Sequence, residues 1–325
     1  MPKPPSDVLW QRKDIMLVAA GSGPCLRELY YRAVEQGKLQ QLMFCHTTDD
    51  DYTMGTAEEK ITRVIKRAAA VHGVQVVVLY LNCLDILTRL DFDYLESSLS
   101  EATGIMVRYF FRGPLGKMDI RHFKPVYEFM AELPEENGRI SHNLYQLPPL
   151  ATDVAGVIDT LPANEAKVLV APSGCRACLR DGDLLEQTQG VYTLETKKQD
   201  FIYGIEDNCV KQCRELMSDG KYKSLNLISS AVAAFIGFDG NWVANSMENN
   251  LKTRSFNIDG FNDAVYGVSC AQELLVEEEQ ELYVKPAREI LILGYSPLLC
   301  GEREQYAECF AYIRSIGYEP RFVGE

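Results

Sequence analysis

Val74-Gln-Val-Val-Val-Leu-Tyr-Leu81 is apolar at every position but Gln75 and rich in β-branched residues. A half-buried strand would alternate apolar and polar residues. An almost continuous apolar run suits a strand buried on both faces of a parallel sheet. Upstream, Ile61, Val64, Ile65 and Ala68 follow the i, i+3, i+4, i+7 spacing of an amphipathic helix, and Leu26, Leu29, Tyr30 and Ala33 form an earlier stripe. Further strands are predicted at 15–20, 42–46 and 105–111. Strands alternating with helices require right-handed βαβ crossovers, so the expected class is α/β with mainly parallel, doubly wound, Rossmann-like layers.

The same template is written twice. Met16-Leu-Val-Ala-Ala20 leads through a loop of small residues to Cys25, and Val168-Leu-Val-Ala171 leads to Cys175. Asp51-Tyr-Thr-Met-Gly-Thr-Ala-Glu58 matches Asp200-Phe-Ile-Tyr-Gly-Ile-Glu-Asp207, both reading D-aromatic-x-x-G-x-x-acid. Asp91 and Asp239 follow, then Gly113 and Gly260. Four landmarks in register indicate an internal duplication. The expected organisation is a first Rossmann-like unit at 1–135, a Pro-rich linker at 136–165 and a second unit at 166–283. The acidic run Glu277 to Glu281 marks the second boundary. At 284–325, Ile290-Leu-Ile-Leu293, a helix carrying Tyr306, Phe310 and Ile313, and a strand at Arg321 to Val323 start a third α/β unit. A single βαβ cannot cover both faces of its own sheet. The sequence therefore looks truncated there, or ends by docking on the rest.

The chain has 325 residues, with 33 Lys and Arg against 46 Asp and Glu, a net charge of −13. Tight nucleic-acid binding needs a basic footprint, which this composition argues against. It argues equally against an anionic membrane surface and leaves room for a protein partner with a basic face. No apolar run reaches membrane-spanning length, and Met1 to Asp14 lacks the apolar core of a signal peptide, so the expected location is the cytoplasm. The ten cysteines are then expected as thiols.

Cys25 and Cys175 each follow a strand and open a helix, where the dipole and the unpaired N–H groups favour a thiolate. Cys83 sits where a buried strand ends. Ligands of open parallel sheets bind beyond the carboxyl ends of the strands, so these three cysteines are candidates to converge on one site; the plainer alternative is that each is a small buried hydrophobe. Cys175-Arg-Ala-Cys178 is a lone C-x-x-C that admits metal ligation or a thioredoxin-like redox pair, although copy one has Glu28 at the place of Cys178. Cys209 and Cys213 lie on the apolar stripe of one helix and read as core. Gly21-Ser-Gly-Pro-Cys25 lacks the third glycine of a dinucleotide loop, and no P-loop, H-E-x-x-H or G-x-S-x-G occurs. His46 is the one histidine expected at a strand end. The D-aromatic-x-x-G motif reads as a tight loop entering a helix, with acidic residues complementing the helix dipole.

Taken together, Gly23-Pro-Cys25, Thr48-Asp-Asp-Asp-Tyr-Thr-Met-Gly55 with Glu59-Lys60, Asn82-Cys83 running to Asp91, Gly174-Cys175, Phe235-Ile-Gly-Phe-Asp239 and Ile292-Leu-Gly-Tyr-Ser-Pro297 resemble the nitrogenase component 1 family. That family comprises nitrogenase catalytic subunits, cofactor scaffolds and dark-operative protochlorophyllide reductase-like oxidoreductases. The resemblance implies an iron–sulfur cluster of the 4Fe-4S kind at a subunit interface. Cys25, Cys83 and Cys175 take the ligand positions, and Cys178 is a further candidate. It implies a homo- or hetero-oligomer and electrons supplied by a separate ATP-dependent iron–sulfur reductase. Ala231 stands in copy two where copy one has Cys83, so copy two keeps one family ligand. Three functions follow as expectations: an electron-accepting oxidoreductase component, a non-catalytic metallocofactor scaffold, or a cluster-free Rossmann-like binding or structural protein.

Overall fold

Strands β1 (Ile15–Gly21) and β3 (Val76–Leu81) are buried at every position, as a central parallel strand must be. They pair in parallel with each other and are flanked by β2 (Leu42–His46) and β4 (Met106–Phe111), giving the order β2-β1-β3-β4. Alternate residues of β1 serve opposite layers. Met16, Val18 and Ala20 meet Ile61, Ile65 and Leu99 on one face. Ile15, Leu17 and Ala19 meet Leu26, Leu29 and Phe129 on the other. Side chains alternate across a strand, so a continuous apolar run fills two cores at once.

The computed structural model describes residues 3–88, 90–118, 123–141, 146–173, 175, 190–247, 251–282 and 288–323. It falls into two units, Met1–Pro149 and Leu150–Glu325. The second contains β5 (Ala166–Val170), β6 (Val191–Thr193), β7 (Ser224–Ser229) and β8 (Lys252–Phe256) in the parallel order β6-β5-β7-β8, the topology of the first sheet. The repeat holds at the level of single bonds. Asp91 caps the helix Phe92–Thr103 by accepting from Tyr94 N–H at 3.0 Å, and Asp239 caps Gly240–Ser246 by accepting from Trp242 N–H at 2.9 Å. Asp51 accepts from Thr48 N–H at 2.8 Å, and Asp200 accepts from Lys197 N–H at 2.6 Å. Gly55 and Gly204 both have positive φ, at +72° and +107°, in the loops that enter the next helix.

One segment differs from the pattern expected of it. The Pro-rich stretch before β5 holds a helix, Asp153–Thr160. Its prolines lie outside the helix, and Val154 to Ile158 is buried. This helix packs on Ala264–Leu282 through a mutual notch. A Cβ on Gly156 would lie 2.2 Å from Ala264 O, and one on Gly267 would lie 2.0 Å from Asp153 O. The acidic run at 277–281 lies in the last turns of that second helix, which ends at Leu282, and Glu278 pairs with Arg254 of β8 at 2.8 Å. Beyond it, β9 (Glu289–Ile292) and β10 (Glu319–Phe322) form a two-stranded parallel sheet. The crossover between them carries the helix Ala307–Ser315. Phe322 stacks on Tyr295 at a centroid distance of 3.9 Å, and Ser296 donates to Asp159 of the helix Asp153–Thr160.

Candidate functional site

In the first sheet the chain leaves β1 toward β2 on one side and leaves β3 toward β4 on the other. Loops that diverge at such a switch point leave a crevice beyond the carboxyl ends of the strands. Cys25 lies in the first turn of the helix Gly23–Glu35, which follows β1. Cys83 is the first residue of the helix Cys83–Leu87, which follows β3. Asn82 ties the two strand ends together, donating from Nδ2 to Ala20 O at 3.0 Å. Gly21 makes room for it, because a Cβ there would lie 1.9 Å from Asn82 Nδ2.

Two adjacent residues after β4 reach both cysteines. Arg112 Nη1 donates to Cys25 O at 2.9 Å. A Cβ on Gly113, whose φ is +84°, would lie 3.0 Å from Cys83 Sγ. Cys25 is half-buried and Cys83 is buried. The Arg112 guanidinium carbon lies 5.2 Å from the centre of the Tyr80 ring. Its Nε and Nη2 are buried with no acceptor among the described residues.

A polar layer supports the helix that starts at Cys83. Asp85 is fully buried and accepts from Asn82 N–H at 2.8 Å and from the Tyr52 hydroxyl at 2.9 Å. Thr47 Oγ1 lies 2.8 Å from that hydroxyl. Burial pushes the Asp85 carboxyl up to about 6, against the opposing pull of these two bonds and of the Arg112 charge. Burial, and then the Asp85 charge, keep Tyr52 a neutral phenol. The aromatic position of the D-aromatic-x-x-G motif is thus used in copy one. Copy two places a half-exposed Phe201 there and Ala233 at the place of Asp85. The motif's aspartate is structural in both. Burial would raise Asp51, yet bonds from Lys60, Thr48 and Thr56 hold it down near about 2.

Cys175 follows β5 at the corresponding edge of the second sheet, its N–H donating to Pro172 O at 2.9 Å. Ala231 opens the helix after β7, capped by Ser230 as Asn82 caps Cys83–Leu87. Cys178 lies outside the described residues. His46 is exposed at the end of β2. Cys209 and Cys213 are buried in the second core with sulfurs 3.9 Å apart. None of the nine described cysteines is in a disulfide. Among the described residues, no three His, Cys, Asp or Glu side chains are gathered as a metal site would need. Arg112, Tyr52 and Asp85 were not singled out from the sequence. For Arg112 the available signal was its place before Gly113, a landmark of the repeat.

Fold and site define a doubly wound α/β protein with two thiol side chains and a buried guanidinium at a switch point. No helix among the described residues is long and apolar enough to cross a membrane. Neither a protein-family model nor a curated protein matches the chain. Among solved structures, the chain is similar to one described as "Nitrogenase Cp1 at pH 5", with 17% sequence identity and a TM-score of 0.41. That similarity covers 57% of this chain and 42% of the other, so this chain spans less than half the length of that protein.

Proposed function

We propose that the chain is a nitrogenase-like oxidoreductase component that holds an iron–sulfur cluster and accepts electrons from an ATP-dependent iron–sulfur reductase. The observation that carries this reading is the convergence of Cys25 and Cys83 on Arg112 and Gly113 at the switch point of the first sheet. Thiolates are the usual ligands of iron–sulfur clusters. Two thiols fall short of the full ligand set of a cluster, and no third ligand side chain is gathered with them among the described residues, so the reading requires the other ligands to come from outside this edge. In this reading Cys25 and Cys83 are ligands, Cys175 with Cys178 supplies the ligands of the second unit, and the assembly is a homo- or hetero-oligomer. The cluster would supply one-electron chemistry. Cys25 and Cys83 would ligate it from two helix starts, and the bonds among Asn82, Tyr52 and Asp85 fix the one at Cys83.

A second reading is a cluster-free Rossmann-like binding or structural protein. It is favoured by the lack of a gathered metal-ligand group among the described residues and by Ala231 at the place of Cys83. Anaerobic purification followed by iron and acid-labile sulfide analysis separates the two. The cluster reading expects both elements and a visible chromophore, lost in Cys83→Ser. A colourless, iron-free protein, or an unchanged spectrum in that variant, refutes it. A cofactor scaffold would hold the cluster without turnover when a cognate reductase and ATP are supplied.

A further inference from the structure

We propose that the loop 257–263, which leads from β8 into the helix Ala264–Leu282, is a proton-operated clasp, closed while Asp153 and Asp259 share one proton and released when that proton leaves; it operates whether or not a cluster is bound. Asp153 opens the helix Asp153–Thr160 and is fully buried. Its Oδ1 accepts from Val154 N–H at 2.7 Å, and its Oδ2 accepts from Asp259 N–H at 3.4 Å. The two carboxyl groups are also hydrogen-bonded to each other. Such a bond needs a proton on one of them, because an ionised carboxylate only accepts. Asp259 in turn holds the loop together, its Oδ1 accepting from Phe261 N–H at 2.9 Å and from Asn262 Nδ2 at 3.2 Å. The loop is tied to the helix start by Asp153 N–H on Asn262 O at 3.1 Å and by Ala264 N–H on Ala151 O at 3.0 Å.

The ionisable groups around Asp153 do not replace that proton. On the helix Ala264–Leu282, Asp263 caps the first turn by accepting from Tyr266 N–H at 3.0 Å, and Tyr266 is hydrogen-bonded to Cys270. Asp159, at the far end of Asp153's own helix, accepts from Leu298 N–H at 3.0 Å, and Cys300 of the short helix Pro297–Cys300 meets Gly294 O. Cys175 packs against the same apolar cluster as Val154, and β7 has no ionisable side chain. Lys167 of β5 is bound at the opposite edge of the sheet by Pro162 O, Lys252 of β8 by Glu278, and Arg254 of β8 by Glu165 and Glu278. Loss of the proton therefore leaves two carboxylates in contact in a site shielded from water, where like charges repel strongly. The helix carrying Asp153 is held fast, because a Cβ on Gly267 would already lie 2.0 Å from Asp153 O. Asp259 is half-buried on a loop whose Asn262 and Asp263 are exposed, so the loop is the part that moves. Burial, and then the Asp259 charge, hold Asp153 up at about 7, which places the change near neutral pH. The clasp lies at the carboxyl end of β8, on the edge of the second sheet where Cys175 follows β5.

Hydrogen–deuterium exchange of the full chain, corrected for the pH dependence of chemical exchange, tests this in wild type, D153N, D259N and D263N between about pH 4 and 9. Opening lets Asp153 ionise near the ordinary value of about 3.9. Protection of the amides of Asp259, Phe261 and Ala264 is therefore expected to fall by up to about tenfold per pH unit from there and to level off above about 7. D153N has no proton to lose and is expected to be flat. D259N removes the facing charge and is expected to level off at lower pH. D263N should follow wild type, and the amides of the helix Glu206–Met217, in the same unit, should not change in parallel with the loop. A wild-type profile without this fall overturns the clasp. So does the same fall in D153N, its loss in D263N, or an equal fall in the reference helix, which would mean unfolding of the whole unit. Should D153N fail to fold, D259N decides: a profile that matches wild type overturns the clasp, and an earlier plateau supports it.

Discussion

Gly113→Ala tests the packing on which the site depends. The substitution carries two costs. A Cβ at φ +84° enters the left-handed region, which costs about 1–2 kcal/mol. Reduced freedom of the unfolded chain offsets about 0.4–1 kcal/mol of that. The second cost is local, because the new Cβ would lie 3.0 Å from Cys83 Sγ and push a buried sulfur out of its place. Overpacking of that kind costs roughly 1–3 kcal/mol. Gly104→Ala is the control, since Gly104 has φ +67° and nothing within 4 Å of a built Cβ. Gly113→Ala is therefore expected to destabilise the first unit by about 1 kcal/mol or more beyond Gly104→Ala. Adding Cys83→Ala should recover most of that excess, as a coupling of at least about 0.5 kcal/mol in a double-mutant cycle. Trp10, buried in the first unit's core, is a local reporter of urea unfolding, and a Trp242→Phe background silences the only other tryptophan. Equal losses in the two glycine variants, with an additive cycle, would refute the contact between Gly113 and Cys83 and with it the convergence of the two cysteines.

Three further outcomes are expected. Burial, and then the neighbouring Asp259, raise Asp153 to about 7, so the folded unit holds a proton that the unfolded chain releases near about 3.9; the associated stability is complete below the unfolded value and lost as pH rises through about 7, and Asp153→Asn should flatten this fall in urea midpoints between pH 5 and 8, parallel profiles counting against it. Gly267→Ala, with a Cβ 2.0 Å from Asp153 O, should force apart the two helices of the second unit and cost roughly 1–3 kcal/mol relative to wild type; a urea midpoint equal to that of wild type would contradict the notch. Replacing Cys209 and Cys213 together by Ala should lower the stability of the second unit by about 1–2 kcal/mol through lost packing and leave iron content unaltered, so that loss of iron with the fold retained would reassign them as ligands.

What the sequence determined by itself is the layer order and its repetition. The run around Val76 to Leu81 could only be a strand with both faces covered, and the stripe of Ile61, Ile65 and Ala68 could only be a helix covering one of them. Periodicity is a local property, so it survives without knowledge of neighbours. The strand-end positions of Cys25, Cys83 and Cys175 were legible for the same reason, because parallel topology sends every strand's carboxyl end to one edge. The limits were also local. Prolines around the helix Asp153–Thr160 read as a linker, because what decides that segment is its contact with the helix Ala264–Leu282. Tertiary structure alone decided that Arg112, nearly ninety residues past Cys25, reaches the Cys25 carbonyl, and that Gly113, close to thirty residues past Cys83, lies against the Cys83 sulfur. It also decided that Tyr52 reaches Asp85 while its repeat partner Phe201 meets no such acid. That Arg112 Nε and Nη2 meet no acceptor among the described residues has no signature in spacing or composition, since it depends on the atoms packed around them.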